Sequence, residues 1–276
     1  MKRRGFLAPA LAVALIVGCA WASWQKRYEI GSLLGRTGGA IQNAVSERTD
    51  ELKKKDEKEA DSDSLYTDWS MEGYPDYVRS IGEGEKSRLA FIRKYELSGS
   101  RPAAKYRMDA QGRAEGSSAV IDYRMMREGS DRERDDMQSI RPSGWQKNRI
   151  VTIRGRNGKS YRGYFYNRSH LLAKSLGGKD ALENMITGTR MQNVGMNDGN
   201  GGMAYVETRT RKWLYANRGA LVKYTAVPVY QGNERLARSV LVEARSTDGR
   251  FRICIEVYNA ANGWSIDYSD GAYRAA

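Results

Sequence analysis

Tyr166-Asn167-Arg168-Ser169-His170-Leu171-Leu172 carries the single histidine of a 276-residue chain. Downstream lies Asn184-Met185-Ile186-Thr187-Gly188-Thr189-Arg190-Met191-Gln192-Asn193-Val194-Gly195, then a glycine-rich turn, then a segment of helical character bearing Glu207. Upstream, Arg149–Ile153 and Ser160–Tyr166 read as strands, and Asn157-Gly158 between them is a strong hairpin signal. Strand, loop and helix thus gather around one imidazole whose ordinary pKa lies near neutrality. A lone histidine is more commonly a satisfied core or surface residue, so the surrounding sequence has to supply the context.

Working outward, Ser169–Leu176 and residues 202–217 read as helices. In the second, Met203, Val206, Thr210, Trp213 and Leu214 form one largely apolar stripe at helical spacing, and Trp213 reads as core. Leu221–Val229, Ser239–Arg245 and Phe251–Tyr258 read as three closing strands, the last two joined by an Asp248-Gly249 turn. Cys254, in mid-strand, reads as an inert small residue. Toward the N-terminus, Glu85–Ile92 reads as a short helix and Ser118–Arg124 as a strand. Asp131–Met137 is a charged turn or helix end, and Arg141-Pro142-Ser143-Gly144-Trp145 is a turn. The pattern predicts an α+β fold with a largely antiparallel central sheet.

Forty percent hydrophobic residues supply a core, and a net charge of +13 suggests a polyanionic partner such as nucleic acid, an anionic membrane or a cell-wall polymer. One histidine and two cysteines, Cys19 and Cys254, exclude a zinc centre built from those residue types. Lys2-Arg3-Arg4 precede twenty uncharged residues, 5–24, closed by Lys26 and Arg27. This is the pattern of a secretory signal or membrane signal anchor, assigned to residues 1–25. Ala20-Trp21-Ala22 fits cleavage, Ile16-Val17-Gly18-Cys19 loosely resembles a lipobox, and the run is long enough to span a bilayer uncleaved. Residues 26–64 read as a charged spacer, because 47–63 hold eight acidic and five basic residues and little apolar surface to offset ordering entropy. Residues 65–276 form the expected catalytic domain.

Phosphodiester hydrolysis needs a base near neutral pKa, cationic groups on the phosphate and a divalent cation, and Mg²⁺ is satisfied by one or two protein oxygens. Tyr166-Asn167-Arg168-Ser169-His170 resembles the Asp-Arg-Gly-His signature of the DNA/RNA non-specific endonucleases with a ββα-metal finger, and among them the streptodornase-like bacterial nucleases. The resemblance continues through Arg141–Trp145, Asn184–Arg190, Gln192–Gly195, Gly201–Glu207, Val240–Ala244 and Trp264–Tyr268, covering roughly residues 115 to 270.

The resemblance implies a ββα-metal finger active site with His170 as general base and Arg168 as a catalytic residue that contacts phosphate. It implies Asn193 as direct metal ligand, Glu207 as a ligand through water, and Arg211 and Arg190 as phosphate-binding residues. The implied cofactor is Mg²⁺, with Mn²⁺ as the alternative; the implied partner is DNA, with RNA not separated from it. Arg209 and Lys212 would track the backbone alongside. The signature departs from the family at two positions: Asn167 replaces the acid and Ser169 the glycine. Read without the resemblance, Asn193 is a turn or cap residue, Glu207 and Arg211 are an i,i+4 helix pair, and Asn197 and Asp198 are turn formers. The expected activity is extracytoplasmic, metal-dependent, sequence-nonspecific cleavage. A non-catalytic DNA-binding or DNA-uptake protein on the same scaffold is the rival, and an anionic-polymer binder a weaker third. An uncleaved N-terminal segment would add the membrane as a partner.

Overall fold

The computed structural model describes residues 65–276. The signal and spacer expected over residues 1–64 lie outside the described residues. Six antiparallel strands form the central sheet, in the order β1 (Val78–Ser80), β10 (Arg252–Tyr258), β9 (Ser239–Ser246), β8 (Val222–Val229), β3 (Ala114–Ile121) and β2 (Ala103–Met108). The three closing strands read from sequence are its centre. They are so apolar because both faces are covered. Val240, Val242 and Ala244 point into one core with Met203, Val206 and Leu214, whereas Leu241 and Cys254 point into another with Leu89, Phe91 and Ile92. Each fully buried Val, Leu or Ile contributes roughly 1.5–3 kcal/mol. The second face also buries two carboxylates, each paired: Glu256 with Arg79 at 3.1 Å and Glu243 with Arg252 at 2.9 Å.

Helix α1 (Lys86–Lys94) packs on that second face. The strand expected through Arg124 stops at Ile121, because Asp122 caps a helix instead: its carboxylate accepts the Met125 N–H at 2.6 Å and opens α2 (Tyr123–Asp131). Gly129 of α2 allows close approach, since a Cβ there would meet Lys174 O at 2.4 Å.

Three two-stranded sheets complete the strands of the described residues. β4 (Ile150–Arg154) and β5 (Ser160–Tyr164) form the expected hairpin. β11 (Trp264–Ile266) pairs with β12 (Tyr273–Ala275). The third sheet corrects the sequence reading. Ser169 and His170 are not helical; they end strand β6 (Tyr166–His170), which pairs with β7 (Met185–Thr189). Leu171, Leu172 and Leu176 mimic a helix stripe, but each drops into the core from an irregular segment whose only helical turn is a 3₁₀ turn at Lys174–Leu176. A short helix α3 (Arg190–Val194) follows β7, and α4 (Ala204–Ala216) follows the glycine-rich turn. In α4, Val206, Thr210 and Leu214 are buried, while Trp213 stacks at 5.3 Å on Phe251.

Candidate active site

Two buried amides position the β6–β7 finger. Asn184 accepts from Leu172 N–H at 2.9 Å and Ser117 Oγ at 2.8 Å, and donates to Leu172 O at 2.8 Å and Lys179 O at 2.9 Å. It thereby ties the 171–183 loop back on itself at the end of β6. Asn259 accepts from Thr189 N–H at 2.7 Å and donates to Thr187 O and Ala237 O, pinning β7 to the body of the domain.

The loop that Asn184 closes delivers Asp180 to His170. His170 Nε2 lies 2.7 Å from Asp180 Oδ1, and the Asp180 side chain is 0% exposed. An ionised carboxylate only accepts, so it selects the tautomer with hydrogen on Nε2 and leaves Nδ1 as the free acceptor. Burial holds the imidazole below its ordinary pKa, Asp180 pulls it back up, and Arg134 and Arg132 push it down again. The neutral, proton-accepting form therefore dominates at neutral pH.

His170 opens onto a cavity of about 790 Å³ that also receives Asn167 and Arg168 from β6, Asn193 from α3, and Glu207 and Arg211 from α4. Ser169, standing where the family has glycine, donates its hydroxyl to Asn193 Oδ1 at 3.2 Å and so orients the oxygen expected to meet a cation. Gly188, across from Asn167 in β7, has no room for a side chain: a Cβ would lie 2.7 Å from Ser169 Cβ and closer still to Gln192 Oε1. Glu207 sits in the first turn of α4, and burial pushes its carboxyl up to about 7 against the lowering pull of Arg211. Among the described residues no three His, Cys, Asp or Glu side chains cluster as a metal site. The fitting donors are Asn193 and Glu207, a sparse oxygen set that suits a hard cation keeping most of its water.

Not every expected residue meets the cavity. Arg190 turns away, its guanidinium over the Tyr161 ring at 5.1 Å. Arg209 is spent on Gly199 O and Tyr205 O and lies over the Tyr205 ring. Lys212 is exposed elsewhere on α4. Arg168 lines the cavity, but its fork is engaged: Nε donates to Ile140 O at 2.7 Å, Nη2 to Gln138 O at 3.0 Å, and the plane covers Trp145 at 4.2 Å. It anchors the 138–145 segment as a wall. The cavity adds cationic residues that the sequence did not single out, Arg134 and Lys174, and an aromatic one, Tyr164. Asp180 had no legible signal, because Gly-Gly-Lys-Asp reads as an ordinary turn.

The model of the DNA/RNA non-specific endonuclease family matches residues 93–248, more than half the chain and all of the residues just described in the finger and α4. The chain belongs to that family of nucleic-acid-cleaving enzymes. A deoxyribonuclease of Streptococcus dysgalactiae subsp. equisimilis is 46% identical over 121 residues, which are 44% of this chain and 36% of that relative. The match thus spans about a third of the relative's length. The solved structure of Sda1 nuclease with a bound zinc ion is 30% identical, with a TM-score of 0.66 over 76% of this chain and 100% of that one. NucA from Streptococcus agalactiae, solved with magnesium, shares the fold at 20% identity and a TM-score of 0.53, over 71% of this chain and 99% of that one. The antiparallel α+β architecture of the endonuclease family is therefore the architecture of this chain.

Proposed function

We propose that this member of the family is a metal-dependent endonuclease that cleaves DNA, and RNA by the same chemistry, without sequence preference. The carrying observation is the 2.7 Å contact between His170 Nε2 and the buried Asp180, in a cavity that also holds Asn193 and Glu207. His170 Nδ1 takes the proton from water as the water oxygen bonds to phosphorus. The bond from phosphorus to the 3′-oxygen breaks, leaving a 5′-phosphate and a 3′-oxygen that takes its proton from solvent water to become the 3′-hydroxyl. Arg211, Lys174 and Arg134 hold the phosphate by charge, which gives sequence tolerance and salt-sensitive affinity. Arg168 keeps the 138–145 wall in place. Asn193, aimed by Ser169, and Glu207 are the residues that would hold a divalent cation. When bound, the cation supplies stabilisation for the charge that grows on the phosphate and the leaving oxygen. Magnesium and manganese match this oxygen donor set, and the zinc and magnesium of the two related structures support a divalent cation in general. The basic, apolar N-terminal pattern supports action outside the cytoplasm, secreted or tethered.

The test is cleavage of supercoiled plasmid with Mg²⁺, with and without EDTA, by the wild type and by His170→Ala. Loss of the base is expected to slow cleavage by about 10²–10⁴-fold while DNA binding persists. Cleavage that survives EDTA, or an undiminished His170→Ala, would end this mechanism. Binding without cleavage by the wild type under every divalent cation would favour the rival binding-only scaffold, for which Asn167 in place of the acid speaks.

A further inference from the structure

The β4–β5 hairpin has one face in the core and one in water. Val151 and Ile153 are buried beside Phe165 and Tyr166. The alternate positions, Ile150, Thr152 and Arg154 on β4 and Ser160, Arg162 and Tyr164 on β5, are all exposed. They pair directly across the ladder: Ile150 with Tyr164, Thr152 with Arg162, Arg154 with Ser160. Tyr164 is 58% exposed and Ile150 55%, the two most exposed large hydrophobic residues among those described. An aromatic and a β-branched side chain opposed across a ladder stabilise it by only about 0.2–1 kcal/mol, and more than half of each is left in water, as on a contact surface.

Position and charge indicate the occupant. Tyr164 lines the cavity that holds His170 and Asn193, so the open face starts at the catalytic cavity and runs away from it. At the hairpin tip, Arg156 and Lys159 are ion-paired with Asp76 and Asp198. On the open face, Arg162 and Arg154 have no acidic partner among the described residues. Moving along the ladder by rungs about 6.8 Å apart, Tyr164 is thus followed by Arg162 on its own strand and then by Arg154 on the neighbouring one, a rise close to the step between phosphates of an extended strand. Aromatic faces that take bases, interleaved with cations that track the backbone, are the elements of single-strand binding.

We propose that the open face of the β4–β5 hairpin is a subsite for single-stranded nucleic acid flanking the scissile phosphate. Tyr164 stacks on the base next to the cleaved bond, Ile150 packs against the same nucleotide, and Arg162 and Arg154 take the following phosphates. The assignment rests on the endonuclease reading for its starting point and adds to it a preference for unpaired substrate, because a paired base offers no free face to Tyr164.

Binding is measured by fluorescence anisotropy in the His170→Ala background with EDTA, so that turnover does not enter. The probes are an oligothymidylate, an abasic phosphodiester chain of equal length and a blunt duplex. Tyr164→Ala is expected to weaken oligothymidylate binding about tenfold and to leave the abasic chain and the duplex nearly unaffected, while Tyr164→Phe retains the affinity. Arg162→Ala is expected to lower the slope of log affinity against log salt by about one. Equal affinity of Tyr164→Ala and its parent for oligothymidylate, or an equal loss for all three probes, overturns the subsite. So does a wild-type dimer that Tyr164→Ala dissolves while oligothymidylate affinity stays intact, which would assign the face to a second copy. The two readings fail separately: oligothymidylate binding can depend on Tyr164 in a chain that never cuts, and a cutting wild type can ignore the substitution.

Discussion

Two antiparallel pairs follow one another in the chain and are built on opposite terms. The β6–β7 finger is enclosed: Ser169, Met185, Ile186, Thr187 and Thr189 are all at or below 3% exposure, and Asn184 and Asn259 satisfy backbone groups around it with side-chain amides. The β4–β5 hairpin has one wet face, with arginines that no acid neutralises among the described residues. A proton-transfer group must be held in one place and one tautomer, which burial and saturated hydrogen bonding provide. A surface that meets a long, variable polyanion needs accessible side chains and tolerates mobility. On the roles proposed above, the chain supplies each in its own hairpin, with only Phe165 between them.

The comparison breaks most readily at Asn184. Asn184→Ala leaves Leu172 N–H, two carbonyls and the Ser117 hydroxyl without partners, and a destabilisation on the order of 3 kcal/mol is expected from the orphaned groups. Urea denaturation measures it, and a change below about 1 kcal/mol would show that the loop does not depend on this amide. Next comes Asp180→Asn, which keeps the shape and removes the charge. A fall of about 10–100-fold in kcat/KM is expected, with little change in stability, as for an orienting partner one bond removed from the chemistry. Asp180 raises the His170 pKa, so without it the imidazole sinks further below 6.5 and the acid limb of the rate profile moves to lower pH. A limb that moves upward, or an unchanged rate, counts against the pairing.

The smallest effect concerns Glu207, the half-buried carboxylate that neither hairpin provides. Burial raises its pKa to about 7, above the value of an unfolded chain. Its protonated form therefore contributes stability that is complete below about 4.5 and lost as pH rises through about 7. A cation needs the ionised form, so apparent Mg²⁺ affinity should rise about tenfold between roughly pH 6 and 8 and flatten above. Calorimetric titration of the wild type against Glu207→Gln checks this; an equal pH dependence in the two would remove Glu207 from the cation site.

Legibility in the sequence followed the periodicity. The β4–β5 hairpin and α4 are readable because each repeats its apolar residues at one fixed period, and the central strands β8, β9 and β10 because they are short apolar runs bounded by turn residues. The finger itself was not: β6 and β7 are short, polar and enclosed by other elements, so neither alternates, and the leucines after His170 imitate a helix. Helix α2 was hidden for a different reason. Asp122 is an N-cap at the end of an apolar run, and a strand reading absorbed it. His170, Asn193, Glu207 and Arg211, which the family resemblance pointed to, line one cavity, and their roles there are those proposed above. Asp180 was not legible, because what makes it a partner is a loop closure effected by Asn184, and no spacing records that. Arg190 failed for a third reason: from the first position of α3 its side chain finds Tyr161 before it finds the cavity.

The His170–Asp180 pair also makes the molecule its own probe. With one imidazole in 276 residues, a chain labelled with ¹⁵N-histidine gives a single set of ring signals that needs no assignment. Those two nitrogen shifts report tautomer and charge directly. Titrated with a divalent cation or an oligonucleotide, they would follow His170 through ligand binding in the intact protein, with no engineered label.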